Sequence, residues 1–196
     1  MSRVVSMLVH LTLGVLCAVA IGCGGGSDND GGTIPPTLSA TFTPASSTPA
    51  ANTLSLQAGN RSADIVQIRV AATDIADFFG GAFTISFDST KARFVSMDTA
   101  GSFLRDGGIS NDSLVFLEDH LTTAGKVVVT ATRKQNVGGT QPGVNVTGTR
   151  NLLVFSFRAI AATAGTSFSL DAPREVINPA DVPIVVTWSG GTLTAN

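Results

Sequence analysis

His120 is the residue best suited to catalysis, because a nucleophilic mechanism needs a base beside a serine, threonine or cysteine. It follows Glu118 and Asp119 at the end of a strand-like run, and no Gly-x-Ser-x-Gly nucleophile motif occurs in the sequence. The chain has two histidines and two cysteines, too few for a zinc cluster. We therefore interpret His120 as a solvated side chain and predict no metal site and no cofactor.

Two pairs of neighbouring carboxylates are the remaining candidates for acid–base chemistry such as glycoside hydrolysis. Asp74 and Asp77 are three residues apart, and Glu118 and Asp119 are adjacent. Adjacent residues of a strand point to opposite faces, so the second pair would not converge on one substrate. We interpret all four as solvated acids or a helix cap, and predict that the protein is not an enzyme.

Aromatic residues limit what kind of sugar the chain could bind. Sugar-binding surfaces stack pyranose rings on exposed tryptophan and tyrosine, and this chain has one tryptophan and no tyrosine. We interpret Trp188, beside Gly190 and Gly191, as a packing residue. A flat platform for crystalline cellulose is therefore disfavoured, while binding of a soluble glycan through polar loop groups stays open. The long loop at 136–149 is a candidate interaction site for the same reason.

Composition excludes two broad classes of protein. Of the 196 residues, 43% are hydrophobic and 13% are charged, with 12 Lys and Arg against 14 Asp and Glu. A net charge of −2 gives no basic surface for nucleic acid. The low charged fraction and the high hydrophobic fraction also exclude a highly charged, disordered chain.

The N-terminal residues have the pattern of an export signal. Arg3 supplies a positive charge, and residues 4–21 carry none and are rich in Val, Leu and Ala. Ordinary secretion and a retained membrane helix are the alternatives. The sequence Ala20-Ile21-Gly22-Cys23 resembles the lipobox of bacterial lipoproteins. That resemblance implies cleavage after residue 22, a lipid on Cys23, and export to the cell membrane or outer membrane with the domain outside the cytoplasm.

Residues 23–52 are predicted to comprise the lipidated cysteine and a linker that follows it. Gly, Ser, Thr and Pro fill 18 of the 29 positions from 24 to 52, a composition that buries little apolar surface. Leu38, Ala40 and Phe42 alternate with polar residues, so a short strand here stays open. The globular domain is predicted at 53–196.

Period-two alternation dominates residues 53–196 and predicts strands with one buried face. Residues 73–79 could form one helical turn capped by Asp74. We predict an all-β fold, an antiparallel β-sandwich of jelly-roll type with about nine strands. The strand-like runs are 53–56, 66–70, 83–87, 93–97, 114–118, 127–133, 152–158, 167–170 and 184–188, with a possible last strand at 192–195.

The order of these segments resembles the cohesin domain, the jelly-roll module of cellulosome scaffolds, over about residues 53–195. The resemblance implies a sandwich fold and a dockerin-like protein or a polysaccharide as partner. It is carried by residues 80–91 (GGAFTISFDSTK), 125–131 (GKVVVTA), 151–159 (NLLVFSFRA), 164–170 (AGTSFSL) and 185–194 (VVTWSGGTLT).

The resemblance also implies where a partner would bind. Gly80 and Ala82 lie in the region that matches the family's recognition face, and neither offers a side-chain hydrogen bond. Arg133 and Lys134 follow the central strand, where an acidic pair is common in the family.

Phe78 and Phe79 add a further candidate, since two adjacent phenylalanines near a loop can anchor a partner; core packing is the alternative. The sequence thus predicts a non-catalytic, membrane-anchored lipoprotein with a binding module, or alternatively a structural cell-envelope lipoprotein that packs into a larger assembly.

Overall fold

The computed structural model describes residues 38–138 and 141–196. The predicted signal peptide, Cys23 and the linker before residue 38 lie outside these residues. The described part contains eleven strands: β1 (Ala40–Pro44), β2 (Thr53–Ser62), β3 (Ile65–Thr73), β4 (Gly80–Ser86), β5 (Ala92–Asp98), β6 (Leu114–Leu121), β7 (Lys126–Arg133), β8 (Thr149–Ala159), β9 (Thr163–Ile177), β10 (Thr187–Ser189) and β11 (Gly191–Ala195). Three short 3₁₀ helices cover Phe103–Arg105, Asn111–Ser113 and Thr122–Ala124.

The strands form two sheets that pack as a sandwich, which confirms the predicted fold class. One sheet has the order β1-β11-β9-β4-β7-β6, and the other has the order β10-β2-β3-β8-β5. The pairings are antiparallel except that β10 runs parallel to β2. Strand β6 thus lies at one edge of the first sheet, and β5 lies at one edge of the second.

Strand β1 lies inside the segment predicted to be linker. It pairs with β11, with Phe42 opposite Leu193, and Ala40 and Phe42 are buried in the core. The Ser39 and Asn196 main chains also exchange two hydrogen bonds, at 2.8 and 3.2 Å. The domain therefore begins before residue 53, the predicted start. The short strand that the alternation of Leu38, Ala40 and Phe42 had suggested is present as β1.

The core lies between the sheets and is rich in phenylalanine. The Phe87, Phe157 and Phe168 rings contact one another, with centroids 5.0–5.5 Å apart. Inward residues alternate with outward ones, as on β3, where Val66 and Ile68 are fully buried. Each fully buried side chain of this size contributes about 1.5–3 kcal/mol. This core holds the two outer faces of the sandwich in place.

The helical turn predicted at residues 73–79 is not formed. Asp74 and Asp77 have positive φ angles of 46° and 57°, which a right-handed helix does not allow. The Asp74 carboxylate instead accepts a hydrogen bond from the Gly148 main-chain N–H at 2.6 Å. The segment is therefore a turn fixed to the loop before β8.

Candidate functional site

Four neighbouring strands of the six-stranded sheet, β9, β4, β7 and β6, present a broad solvent-facing surface, which we call the outer face. Side chains alternate along a strand. The buried Phe83 on β4 and Val129 on β7 point inward, so the residues next to them on each strand point outward. The outward residues include Ala82 on β4, Thr130 and Thr132 on β7, and Leu117 and Leu121 on β6. Ala82 stands opposite Thr130 on one side and Glu175 on the other.

A hollow of about 130 Å³ opens in this face beside Gly81 and Ala82. It exists because β4 carries small residues there. A Cβ at Gly80 would lie 2.3 Å from Thr132 Oγ1, so only glycine leaves that side chain in place. The hollow is bordered by Gly81, Ala82, Thr130, Thr132, Glu175 and Ile177.

Two leucines stand exposed on the outer face of edge strand β6, and Leu117 is the one beside the hollow. Leu117 is 61% exposed and Leu121 is 47% exposed. Leu117 stands opposite Thr130, which borders the hollow. Exposed apolar side chains next to a concave apolar site are typical of a protein-binding surface. These leucines are not predicted from the sequence, because both faces of β6 carry apolar residues and the alternation does not show which face is solvated.

Charge on the outer face is mainly acidic. Asp119 on β6 and both Asp171 and Glu175 on β9 stand on this face, against the single lysine Lys126 on β7. These carboxylates are exposed. The face therefore favours a partner with basic groups around its apolar contact.

Phe78 and Phe79, predicted as possible anchors, are 0% and 6% exposed and offer no surface to a partner. Phe78 packs edge-on against Phe103, with ring centroids 5.0 Å apart. Its main chain also pairs with Val144 in an isolated bridge. The anchor interpretation is wrong, and the core-packing alternative is correct, because the turn before β4 folds back over the core.

Arg133, predicted as a partner contact, is 4% exposed and is a structural residue instead. Its guanidinium donates three hydrogen bonds to main-chain oxygens, at 3.0 Å to Leu104, 2.9 Å to Pro142 and 2.7 Å to Asp106. It points inward because it continues the inward alternation of Val129 and Ala131. Burial lowers the pKa of this guanidinium.

Lys134, the next residue, is exposed. Its main-chain N–H donates to Ser113 at 2.8 Å. Its place in a partner interface stays a prediction.

An ion pair beside Arg133 fixes the loop after β5. Arg150 donates to both oxygens of the Asp106 carboxylate, with Nη2 to Oδ1 at 3.0 Å. These hydrogen bonds lower the pKa of Asp106 and raise the pKa of Arg150. Asp106 thus supports Arg133 through its main-chain oxygen and binds Arg150 through its side chain.

The residues considered for catalysis do not converge. His120 is exposed, and its Nδ1 lies 3.6 Å from Glu118 Oε2. Within residues 38–138 and 141–196, no three His, Cys, Asp or Glu side chains are grouped closely enough to hold a metal ion.

Trp188 is half-buried, with its ring centroid 6.4 Å from that of Phe83 and the Arg174 guanidinium 5.6 Å from its ring centroid. Among the residues that the structure describes, no helix has the length and apolar character needed to cross a membrane.

Comparison with known proteins gives no match by sequence and several by structure. No protein-family model matches the chain, and no curated protein is significantly similar. The solution structure of CaCohA2 from Clostridium acetobutylicum matches with a TM-score of 0.53 and 19% identity, over 72% of this chain and 90% of that one. CaCohA2 in a complex with a CaDoc0917 variant matches with a TM-score of 0.51 and 19% identity, over 70% and 95%.

A third structure is the sixth cohesin of scaffoldin B from Acetivibrio cellulolyticus, in complex with a mutant Cel5 dockerin. It matches with a TM-score of 0.50 and 13% identity, over 78% of this chain and 96% of that one. All three matches cover nearly the whole of the cohesin module. The domain described here therefore has the cohesin fold.

Proposed function

We propose that the protein is a non-catalytic binding module whose outer face holds a dockerin-like protein partner. The observation that carries this proposal is the hollow at Ala82 beside the exposed Leu117, with Leu121 exposed farther along the same strand. A broad sheet face with one apolar hollow can receive a single apolar side chain from a partner and surround it with contacts that exclude water. Two of the similar structures are cohesins in complexes, one of them with a dockerin, which supports a protein as the partner class.

Electrostatics narrow the partner further. Asp119, Asp171 and Glu175 border the apolar region of the outer face, so a partner with lysine or arginine around its anchor is favoured over an acidic one. Burial of one aliphatic anchor in the hollow contributes about 1.5–3 kcal/mol. Its loss would weaken binding by about tenfold or more.

The substitution Ala82→Arg tests the outer face. The processed chain, starting at residue 23, serves as bait for secreted proteins of the source cell, once with calcium and once with a chelator. The unsubstituted chain should capture a protein, and Ala82→Arg should lose at least about tenfold in affinity, because the new side chain fills the hollow. Far-ultraviolet circular dichroism and urea unfolding check that the fold is kept.

Val154→Arg is the matched control, because Val154 lies half-buried on the outward side of β8 in the other sheet. It should capture the partner as the unsubstituted chain does. Equal capture by Ala82→Arg would contradict the proposal. Retention of a polysaccharide and no protein would replace it with glycan binding, and co-purification only with a stable envelope complex would favour the structural lipoprotein.

We propose further that a lipid on Cys23 holds the module at a membrane outside the cytoplasm. The support is the charged start, the uncharged run to Ile21 and the lipobox-like residues before Cys23. Cys23→Ala should move the protein from the membrane fraction to the soluble fraction, as measured by fractionation and immunoblotting. Ser27→Ala, a change in the segment that follows, is the control and should leave the protein in the membrane fraction. A Cys23→Ala protein that stays in the membrane would show that another segment anchors it.

A further inference from the structure

A second concave site lies away from the hollow, where edge strands β5 and β6 of the two sheets approach each other. Its volume is about 190 Å³. The apolar wall comes from Phe87 and Phe94, and Phe94 packs against Phe157 with centroids 5.9 Å apart. The His120 ring lies 5.3 Å from the Phe94 ring and so links the two sheets at this edge. We call this site the edge cavity.

Three basic side chains line the edge cavity: Arg93 from β5, His120 from β6 and Lys126 from β7. Among the described residues, neither Arg93 nor Lys126 makes a side-chain hydrogen bond or an ion pair. No acidic residue in the part of the chain that the structure describes lines the cavity. Glu118 lies 3.6 Å from His120, and Asp119 stands on β6 diagonally across from Lys126. The cavity therefore combines an apolar wall with two cations that form no ion pair among the described residues.

Hydroxyl groups complete the lining. Ser89 and Thr122 both border the cavity, and Ser89 is held by a hydrogen bond of 3.1 Å from its Oγ to the Thr123 main-chain oxygen. A hydroxyl beside a cation supplies a further donor or acceptor for a bound anion. Ligand sites typically have this composition, a mainly apolar wall with a few convergent polar groups.

We propose that the edge cavity binds a small carboxylate that carries an apolar group. The carboxylate pairs with Arg93 and Lys126 through charge-assisted hydrogen bonds, and the apolar group lies against Phe87 and Phe94. The size agrees, since a protein cavity of about 150 Å³ can hold benzene. A free organic acid and the C-terminal carboxylate of a protein both have this chemistry. The proposal does not depend on a partner at the hollow, and Lys126 borders both the outer face and the edge cavity.

Ligand-observed nuclear magnetic resonance on the full chain tests this site with benzoate, and with benzamide as the neutral ligand of the same shape. Benzoate should bind at least tenfold more tightly than benzamide. The double substitution Arg93→Gln/Lys126→Gln should weaken benzoate binding at least tenfold. The matched double substitution Arg61→Gln/Lys134→Gln removes the same charges outside the cavity and should leave binding unchanged.

A second arm distinguishes the two sources of the carboxylate. An acetylated tripeptide ending in phenylalanine is compared with its C-terminal amide. Binding of the peptide acid at least tenfold more tightly than benzoate would assign a protein C-terminus, and the reverse order would assign a free organic acid. The proposal is overturned if neither acid binds, if the acids bind no better than the amides, or if the Arg93/Lys126 variant still binds benzoate. Ala82→Arg should leave benzoate binding unchanged, so failure at one site is separable from failure at the other.

Discussion

Replacement of Arg133 by methionine should lower the free energy of unfolding by about 3–5 kcal/mol. The guanidinium donates to the main-chain oxygens of Leu104, Asp106 and Pro142, which belong to two separate loops. Methionine keeps the apolar stem but none of the donors, so three carbonyl oxygens lose their partner. Each lost hydrogen bond to a charged group costs about 1.5–3 kcal/mol, and the losses are not additive.

Urea unfolding measures this effect, and Lys134→Met is the matched control. Lys134 is the next residue, it is exposed, and the substitution removes the same charge. The control should stay within about 0.5 kcal/mol of the unsubstituted protein. A loss below about 1 kcal/mol for Arg133→Met would mean that water replaces the guanidinium, and that Arg133 does not hold the loops together.

Gly125→Ala should destabilise the domain by about 3 kcal/mol or more, or prevent folding. Gly125 has a φ of 61°, and a Cβ there would lie 2.0 Å from the Phe87 main-chain oxygen. The Gly125 oxygen also accepts a hydrogen bond of 2.8 Å from the Phe87 N–H. The turn before β7 therefore cannot move away from the end of β4 without loss of that bond.

Gly107→Ala separates backbone strain from steric overlap. Gly107 also has a positive φ, 79°, but nothing lies within 4 Å of a Cβ there. Its substitution should cost only the backbone term, about 1–2 kcal/mol. Thermal and urea unfolding of both variants give the comparison, and equal losses for the two would show that contact with Phe87 is not responsible.

Much of the sandwich could be predicted from the alternation of apolar and polar residues, because burial of one sheet face imposes that period. Strand β1 was harder to predict from the sequence, since its polar threonines and its proline are typical of a linker. Only the alternation of Ala40 and Phe42 indicated it, and the burial that confirms it depends on β11, at the far end of the chain.

The candidate site was predictable only in part. Small residues at Gly80 and Ala82 marked the right strand, but a hollow also needs Thr132 and Glu175 on neighbouring strands, whose register no local pattern gives. Arg133 shows the opposite case. Its position continues the alternation in which Val129 and Ala131 point inward. The alternation therefore predicts its burial correctly, whereas its charge favours an exposed side chain.

The hydrogen bonds between Ser39 and Asn196 place the two ends of the described domain at one corner. Any sequence before Ser39 thus leaves the sandwich from the same point as Asn196. A force applied to Ser39 would therefore enter the domain at that corner rather than across the sheets. The order of the strands also survives if the two ends are joined and the chain is opened at another loop, which makes the domain suitable for circular permutation and for insertion into a host loop.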